Sequence, residues 1–501
     1  MKKNKEKRIY GNIFILILAI SITILLSFIL GTLQFGTQLA EISNGFLQTT
    51  LTTVQNILSK EGILYLINNT IANYRIIEPL VLLLISFMSV SILKSSGLLE
   101  HLVKPLKKVK TEYIVFLTIF ICSISTLFGN YSYIILLPLN ALIYNLVGRS
   151  PILGLIATFI GIASGYGSGL IYDYNYYLMG LATESAASFE IDSSYKFNLL
   201  SNFYIMLSST VIVSIALTYV IKDKLENKYS KIEEAKEVKY NDKALLKTTI
   251  VSTILLGLLT YSIIPNLPLS GLLLDESQTN YIAMLFGVNS PFYNGFMTIA
   301  FSLIFILSLV YGYTSKKFKT TKDISDGLTC EFKNIGYVFV ILFFATIFIE
   351  IVEWSNLGTV ITSLITNLLS NLQFSGILLI ITLFIATILM SIIMPSTIAK
   401  WNILSPLVIP LFMRANITPE FTQFIFAVAD GIGKIISPTY IYFYLFIGLL
   451  NMYKKEEEIS FKNIFKDIIP VFLLIALIWL LIIMAWYIVG IPLGIGTTTI
   501  L

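Results

Sequence analysis

The chain has 501 residues, of which 56% are hydrophobic and only 13% are Asp, Glu, Lys or Arg. Spread over many apolar runs of about 20 residues, that composition excludes a soluble globular domain and predicts an all-α polytopic membrane protein. The formal net charge of +5 does not mark a nucleic-acid binder, because the Lys and Arg residues sit in short connecting loops, where they set orientation.

The N-terminal MKKNKEKR precedes an uncharged run from Ile9 to about Leu33. The run is too long for the apolar core of a signal peptide, so it is read as a first crossing with a cytoplasmic N-terminus. Residues 34–75 read as a polar segment whose part from 58 to 75 is amphipathic, and helix 2 covers about 76–97. A lysine-rich loop (Lys104, Lys107, Lys108, Lys110) follows and marks the inside. Two short apolar arms, 113–127 and 131–147, flank Phe128-Gly129-Asn130 and fit a re-entrant hairpin. Helix 3 starts at Pro151 and is broken by ASGYGSG (163–169), which contains Gly165 and Gly167.

Helix 4 (about 199–221) leads to a loop at 222–247 that holds eight lysines, helices 5 (about 248–265) and 6 (about 292–313) lead to a basic loop at 315–334, and helix 7, from about 335, is disturbed by EIVEWSNLG (350–358). A second hairpin has arms 375–394 and 398–412; helix 8 (419–450) is broken near Asp430, and helix 9 covers about 467–489. The layout is nine transmembrane helices plus two re-entrant hairpins. It groups as 1–112 (helices 1 and 2), 113–184 (hairpin 1 and broken helix 3), 185–374 (helices 4 to 7), 375–450 (hairpin 2 and broken helix 8) and 451–501 (helix 9 and the C-terminus). All but six of the 34 Lys and Arg fall in the inside segments; Lys60, Arg75, Lys196 and Arg414 fall outside, and Lys400 and Lys434 in the membrane. Cys122 lies in an apolar run and Cys330 in a basic loop, so no disulfide framework is indicated.

An ungapped shift of 268 residues superposes Ser123 on Ser391, Tyr133 on Trp401, Pro138 on Pro406, Pro151 on Pro419 and Gly165 on Gly433. An odd number of crossings separates the two hairpins, so the repeats are predicted to be inverted, with discontinuous helices and a substrate site near the midplane.

Charge in an apolar stretch costs roughly 2.5–3.5 kcal/mol per group on insertion scales, which makes each such residue a candidate site. Asp430, followed by Gly431, Ile432 and Gly433 at the predicted break, is the strongest ion-coupling candidate; the plain alternative is a fixed ion pair with Lys434 one turn on. Asp173 and Asn175 hold the corresponding place after the break in helix 3. Ser396, Thr397 and Asn402 at the second hairpin tip, and Asn130 at the first, either line a polar cavity or cap the tips. Trp401 suits stacking on an aromatic substrate or packing, and Lys400 suits an anionic substrate or snorkelling to an interface. Glu350, Glu353, Ser355 and Asn356 mark another polar break, read mainly as an interface. No G-x-S-x-G, H-E-x-x-H or phosphate loop is present, and His101 has no ligand companions at metal-binding spacing, so neither an enzyme nor a cofactor is predicted, and the one metal ion expected to have a place is Na⁺ near Asp430.

These segments resemble the AbgT family of bacterial transporters, named for uptake of p-aminobenzoyl-glutamate and linked also to export of antimetabolites. The likeness runs through LSKEGILYLINNTIANY (58–74), KSSGLLEHLVKPL (94–106), LPLNALIYNLVGRSPILGLIATFIGIASGYG (137–167), GLATES (180–185), EWSNLG (353–358), AKWNILSPLVIPLF (399–412) and the stretch ending IISPTYIYF. The resemblance implies a homodimer of nine-crossing chains, with Trp401, Pro419, Asp430 and Pro438 at family functional positions. The family's Arg three residues before the helix 8 Asp is Ala427 here, its Ser three before the Trp is Ile398, and its helix 3 Asp aligns with Asn175; Lys434 stands where Asn is usual. The expectation is a secondary active transporter in the bacterial cytoplasmic membrane. It would move a small organic anion, or another carboxylate or amino-acid-like solute, with H⁺ or Na⁺ as coupling ion.

Overall fold

A computed structural model describes residues 11–501 except 44–45, 170–172, 230–239, 373 and 454–457. The basic N-terminal segment and the middle of the lysine-rich loop at 222–247 lie outside the described residues.

In chain order the elements are α1 (Asn12–Thr32), β1 (Gly36–Ser43), β2 (Phe46–Thr53), α2 (Lys60–Ile76), α3 (Glu78–Ser96), α4 (Leu98–Leu102), α5 (Thr111–Ser125), α6 (Tyr131–Leu146), α7 (Pro151–Gly165) and α8 (Tyr174–Glu190). Then come α9 (Phe203–Ile221), α10 (Asn227–Tyr229), α11 (Asp242–Ser262), α12 (Tyr281–Phe286), α13 (Pro291–Thr314), α14 (Thr321–Thr329) and α15 (Gly336–Trp354). The last six are α16 (Leu357–Ser370), α17 (Gly376–Ile393), α18 (Thr397–Arg414), α19 (Pro419–Lys434), α20 (Ile441–Met452) and α21 (Phe461–Val489).

Nine helices among the described residues are long and apolar enough to cross a membrane. The number equals the expected one, but the membership differs. Thr111–Phe128 and Gly376–Ile393, expected as hairpin arms, are among the nine, whereas the two broken helices are shorter pieces, α7 with α8 and α19 with α20. Apolar side chains such as Leu25, Ile254 and Leu477 remain exposed on the long helices, as suits a surface in lipid.

Helix starts follow local chemistry. Pro151, Pro291 and Pro419 occupy the first helical turn, where a missing N–H costs nothing. Ser59 and Ser396 cap α2 and α18 by accepting from Gly62 and Ala399 backbone N–H groups.

The chain forms two compact units. The first comprises residues 1–77, 179–209 and 335–501. Within it Asn12 ties α1 to α21, donating to the Ile459 carbonyl at 2.9 Å and accepting from Phe461 N–H at 2.7 Å. The amphipathic α2 packs along α15, where Tyr74 donates to the Phe339 carbonyl. The segment before it, read as merely polar, contains an antiparallel hairpin of β1 and β2 that the sequence reading missed. Its strands mix Thr and Gln with apolar residues without regular alternation, and Gly36 is needed because a Cβ there would lie 2.5 Å from the Thr52 carbonyl. Asn367 of α16 fastens the hairpin by donating to the Gln38 carbonyl at 2.9 Å.

The second unit comprises residues 78–178 and 210–334. Its core places α7 against α5 and α6, and α3 against α13 and α14. Ser86 donates to the Ile134 carbonyl at 2.8 Å, joining α3 to α6 across the proline-containing arm.

Candidate functional site

In the first unit, α17 and α18, the arms expected of the second hairpin, are joined at 394–396, and α19 packs against both. Gly433 permits the close approach of α19 to α17: a Cβ there would stand 2.6 Å from Ser391 Cβ and 2.9 Å from the Ile388 carbonyl. That contact sets Asp430, four residues from Lys434, directly over Ser391.

Asp430 is buried and engaged on both oxygens. Its Oδ1 accepts from Lys400 Nζ and lies 2.7 Å from Ser391 Oγ; its Oδ2 accepts from Thr397 Oγ1 and pairs with Lys434 Nζ at 2.9 Å. Lys400 is 0% exposed and also donates to Ser391 Oγ at 2.8 Å, while Lys434 donates to Thr397 Oγ1 and stands 5.6 Å over the Tyr440 ring. One carboxylate thus faces two ammonium groups, and its roughly four acceptor positions are all taken. Breaking such a buried pair from one side costs about 3–5 kcal/mol.

The expected break at Asp430 is displaced. α19 runs without interruption through Asp430, Gly431 and Gly433 to Lys434, and the chain is non-helical only at 435–440, which contains Pro438. The glycines serve close helix packing, and helix termination falls to the segment before Pro438. Pro419 opens α19.

Beside this network lies a cavity of about 210 Å³ lined by Glu353 of α15, Thr359 of α16, Pro395, Ser396 and Ala399 at the hairpin tip, and Thr439. Ser396 is exposed there as well as capping α18. Trp401 is fully buried: its Nε1 lies 3.0 Å from both the Met179 carbonyl and Thr183 Oγ1, and its ring rests 4.6 Å from that of Phe426. Asn402 points away and is exposed.

In the second unit the first hairpin tip carries a different set. Asn130 donates to Glu78 Oε2 at 3.1 Å and accepts from Tyr166 O–H at 3.4 Å. Asp173 caps α8, taking Tyr176 N–H at 2.9 Å, and Asn175 donates to Asp173 at 3.2 Å. Gly165 ends α7 and Gly167 lies in the turn after it. A Cβ on Gly165 would sit 2.7 Å from Ser123 Cα, so the Ser–Gly pair matched by the 268-residue shift makes the same close approach in each unit.

Sequence reasoning paired Asp430 with Lys434 but left Lys400 apart, and it missed Ser391 and Thr183 as partners. Ser391 was visible as a repeat match, and Thr183 within GLATES. What no spacing supplies is that α17, α18 and α19 converge on one carboxylate. Among the described residues no group of three or more His, Cys, Asp or Glu could hold a metal ion.

Membrane-length apolar helices, with a buried Lys–Asp–Lys network inside the first unit, define a polytopic membrane protein. Residues 7–501 match the family described as "AbgT putative transporter family", and the chain belongs to it. The protein is therefore a membrane transporter and not an enzyme. It is 28% identical over 451 residues, 88% of this chain and 86% of the relative, to the p-aminobenzoyl-glutamate transport protein of Escherichia coli (strain K12). Among solved structures it is similar to the Alcanivorax borkumensis YdaH transporter, at 24% identity and a TM-score of 0.49, over 96% of this chain and 99% of that one. It is similar also to Neisseria gonorrhoeae MtrF, of a class of antimetabolite efflux pumps, at 22% identity and a TM-score of 0.48, over 98% of each chain.

Proposed function

We propose that the chain is a secondary active transporter of a small organic anion, either a p-aminobenzoyl-glutamate-like compound or an antimetabolite, coupled to an H⁺ or Na⁺ gradient. It works as a homodimer in the bacterial cytoplasmic membrane with its N-terminus inside, and its two hairpins enter from opposite faces as inverted repeats. The observation that carries the reading is the buried network in which Asp430 is shared by Lys400 and Lys434 at a hairpin that borders a cavity. An incoming carboxylate at the tip competes with Asp430 for an ammonium group, and the exchange gives the hairpin two charge-balanced states. The family match over residues 7–501 and the Escherichia coli relative support the substrate class.

Trp401 acts in this reading by holding α18 against Met179 and Thr183, so its role is to position Lys400, one residue earlier. The neighbouring Ser396 and Thr397 contact solute at the tip, and Asn130 does so at the other hairpin. Asp173 and Asn175, at the start of α8 after the break in helix 3, are the ion-coupling counterparts in the first repeat. A second reading, transport of another carboxylate or amino-acid-like solute, is favoured by Ala427, Ile398, Asn175 and Lys434 standing where the family has other residues.

The test is uptake by proteoliposomes of labelled p-aminobenzoyl-glutamate, glutamate and a sulfonamide under imposed pH and Na⁺ gradients. Accumulation of the first or third, driven by either gradient, is expected; accumulation of glutamate alone selects the second reading, and no gradient-driven movement of any of them rejects both.

A further inference from the structure

A second buried carboxylate in the first unit has surroundings opposite to those of Asp430. Glu350 of α15 is 5% exposed, and its carboxylate oxygens have no partner at full hydrogen-bond geometry among the described residues; only the Asn73 amide of α2 stands near enough to act on it as a donor. No ion pair there includes Glu350 or Glu353. A carboxylate ion in such a place is an uncompensated charge, which several kcal/mol of desolvation would oppose.

Among the elements packed against α15, α2 carries Lys60 and Arg75, and neither is ion-paired with Glu350. α1 and α16 carry no Lys, Arg, Asp, Glu or His, and α20 offers only tyrosines as titratable groups. From α2 the groups facing Glu350 are the Tyr65 hydroxyl and the Asn73 amide, themselves joined by a 3.1 Å hydrogen bond. Glu353, one turn along α15, opens on the cavity whose opposite wall includes Ser396 and Ala399. α15 ends one residue later at Trp354, and Asn356 then takes a left-handed conformation (φ 59°) that starts α16 in a new direction.

We propose that Glu350 is the seat of a small monovalent cation, H⁺ or Na⁺, that reaches it from the cavity past Glu353. The proposal rests on the transport reading for its purpose: Asp430 already has two ammonium partners and no acceptor position left, so the coupling cation resides on α15 and the anion on the hairpin. Glu353 and Ser396 line one cavity, so occupancy of one wall is felt at the other. Binding needs no covalent step: a proton or sodium ion joins a carboxylate oxygen and leaves by the same route.

Infrared difference spectra of the purified full chain test the seat without requiring transport. If H⁺ is bound, a protonated-carboxyl band is present at neutral pH without sodium, is lost in Glu350→Gln and survives in Asp430→Asn. If Na⁺ is bound, sodium chloride but not choline chloride shifts a carboxylate band, and Glu350→Gln abolishes the shift. Spectra of wild type and Glu350→Gln that agree in both conditions overturn the proposal. Should Glu350→Gln not fold, Glu350→Asp, which keeps the carboxyl but moves it, is expected to displace the band; an unmoved band overturns the proposal equally.

In proteoliposomes Glu350→Gln is expected to retain anion exchange while accumulation falls to the level without a gradient. Gradient-driven accumulation equal to wild type overturns the coupling role. Wild-type vesicles that move no anion would reject the transport reading alone, since the spectra decide the seat independently.

Discussion

The two hairpin assemblies share a skeleton and differ in charge. In the first unit α17 and α18 receive α19; in the second α5 and α6 receive α7, and each triplet is pinned by a Ser–Gly contact, Ser391 with Gly433 and Ser123 with Gly165. The 268-residue shift carries Lys400, Asp430 and Lys434 onto Ser132, Ile162 and Tyr166. The charged interior of one triplet is thus replaced by a hydroxyl, an aliphatic chain and a phenol in the other. Ser132 donates to the Ser125 carbonyl and Tyr166 to Asn130, so the polar groups at these two matched positions are satisfied locally. Shape is kept by small residues at close contacts, whereas the buried charges are dispensable to that shape and mark the assembly in which anion chemistry is placed.

The largest expected difference comes from removing the central carboxylate. Asp430→Asn leaves two buried ammonium groups without their anion and is expected to lower stability by about 3–5 kcal/mol. Tyr166→Phe, at the position matching Lys434, removes one long hydrogen bond and is expected to cost about 1 kcal/mol or less. Thermal unfolding of both variants in the same detergent checks this; equal losses would mean that the Asp430 network is no more important to the fold than its uncharged counterpart.

Gly433→Ala and Gly165→Ala probe what the assemblies have in common. Each adds a methyl within 2.7 Å of a carbon on the neighbouring helix, and each is expected to destabilise by about 1–3 kcal/mol through overpacking. A marked asymmetry between them would break the claim of a shared skeleton.

Much of that skeleton was legible in the sequence, because apolar run length, prolines at helix starts and the serine–glycine matches are local or periodic signals. The β1–β2 hairpin was not: its strands lack a strong apolar face, and a polar stretch between membrane helices reads as a loop. The break in helix 8 was placed too early for a related reason. Gly431 and Gly433 look like helix breakers in one dimension, but against Ser391 they are the residues that let two helices touch. Asp430 and Lys434 were legible at i, i+4 spacing, and Lys400 was legible as a buried charge, yet its bond to Asp430 spans 30 residues and exists only once the hairpin is folded.

Lys434 sharpens the comparison functionally. The second assembly has Tyr166 in its place, and within the first Lys434 takes up one of the two oxygens of Asp430. Lys434→Asn vacates that position and leaves the Lys400 pair intact, so a sodium ion can approach the carboxylate. Gradient-driven uptake is expected to show little Na⁺ dependence at this site in wild type, and Lys434→Asn is expected to gain Na⁺ dependence or lose coupling. Strong Na⁺ dependence of the wild type that Lys434→Asn leaves unaltered would make Lys434 a packing residue.

The smallest effect is the most discriminating, because it compares the same residue type at matched positions. Ser391 Oγ accepts from Lys400 and lies within hydrogen-bond reach of both Asp430 and the Thr387 carbonyl, so its single proton is shared between two acceptors. Ser123, equally buried, has a hydroxyl with no partner among the described residues. Ser391→Ala removes hydrogen bonds to charged groups and is expected to cost about 1.5–3 kcal/mol. Ser123→Ala deletes an unsatisfied hydroxyl while keeping the Cβ that packs near Gly165, so it is expected to be neutral or to stabilise by up to about 1 kcal/mol. Thermal unfolding of the two alanine variants and the double variant reads both values. Ser123→Ala as damaging as Ser391→Ala would show that the hydroxyl of the uncharged assembly has a role of its own, and the division between a charged working half and an uncharged supporting half would fall.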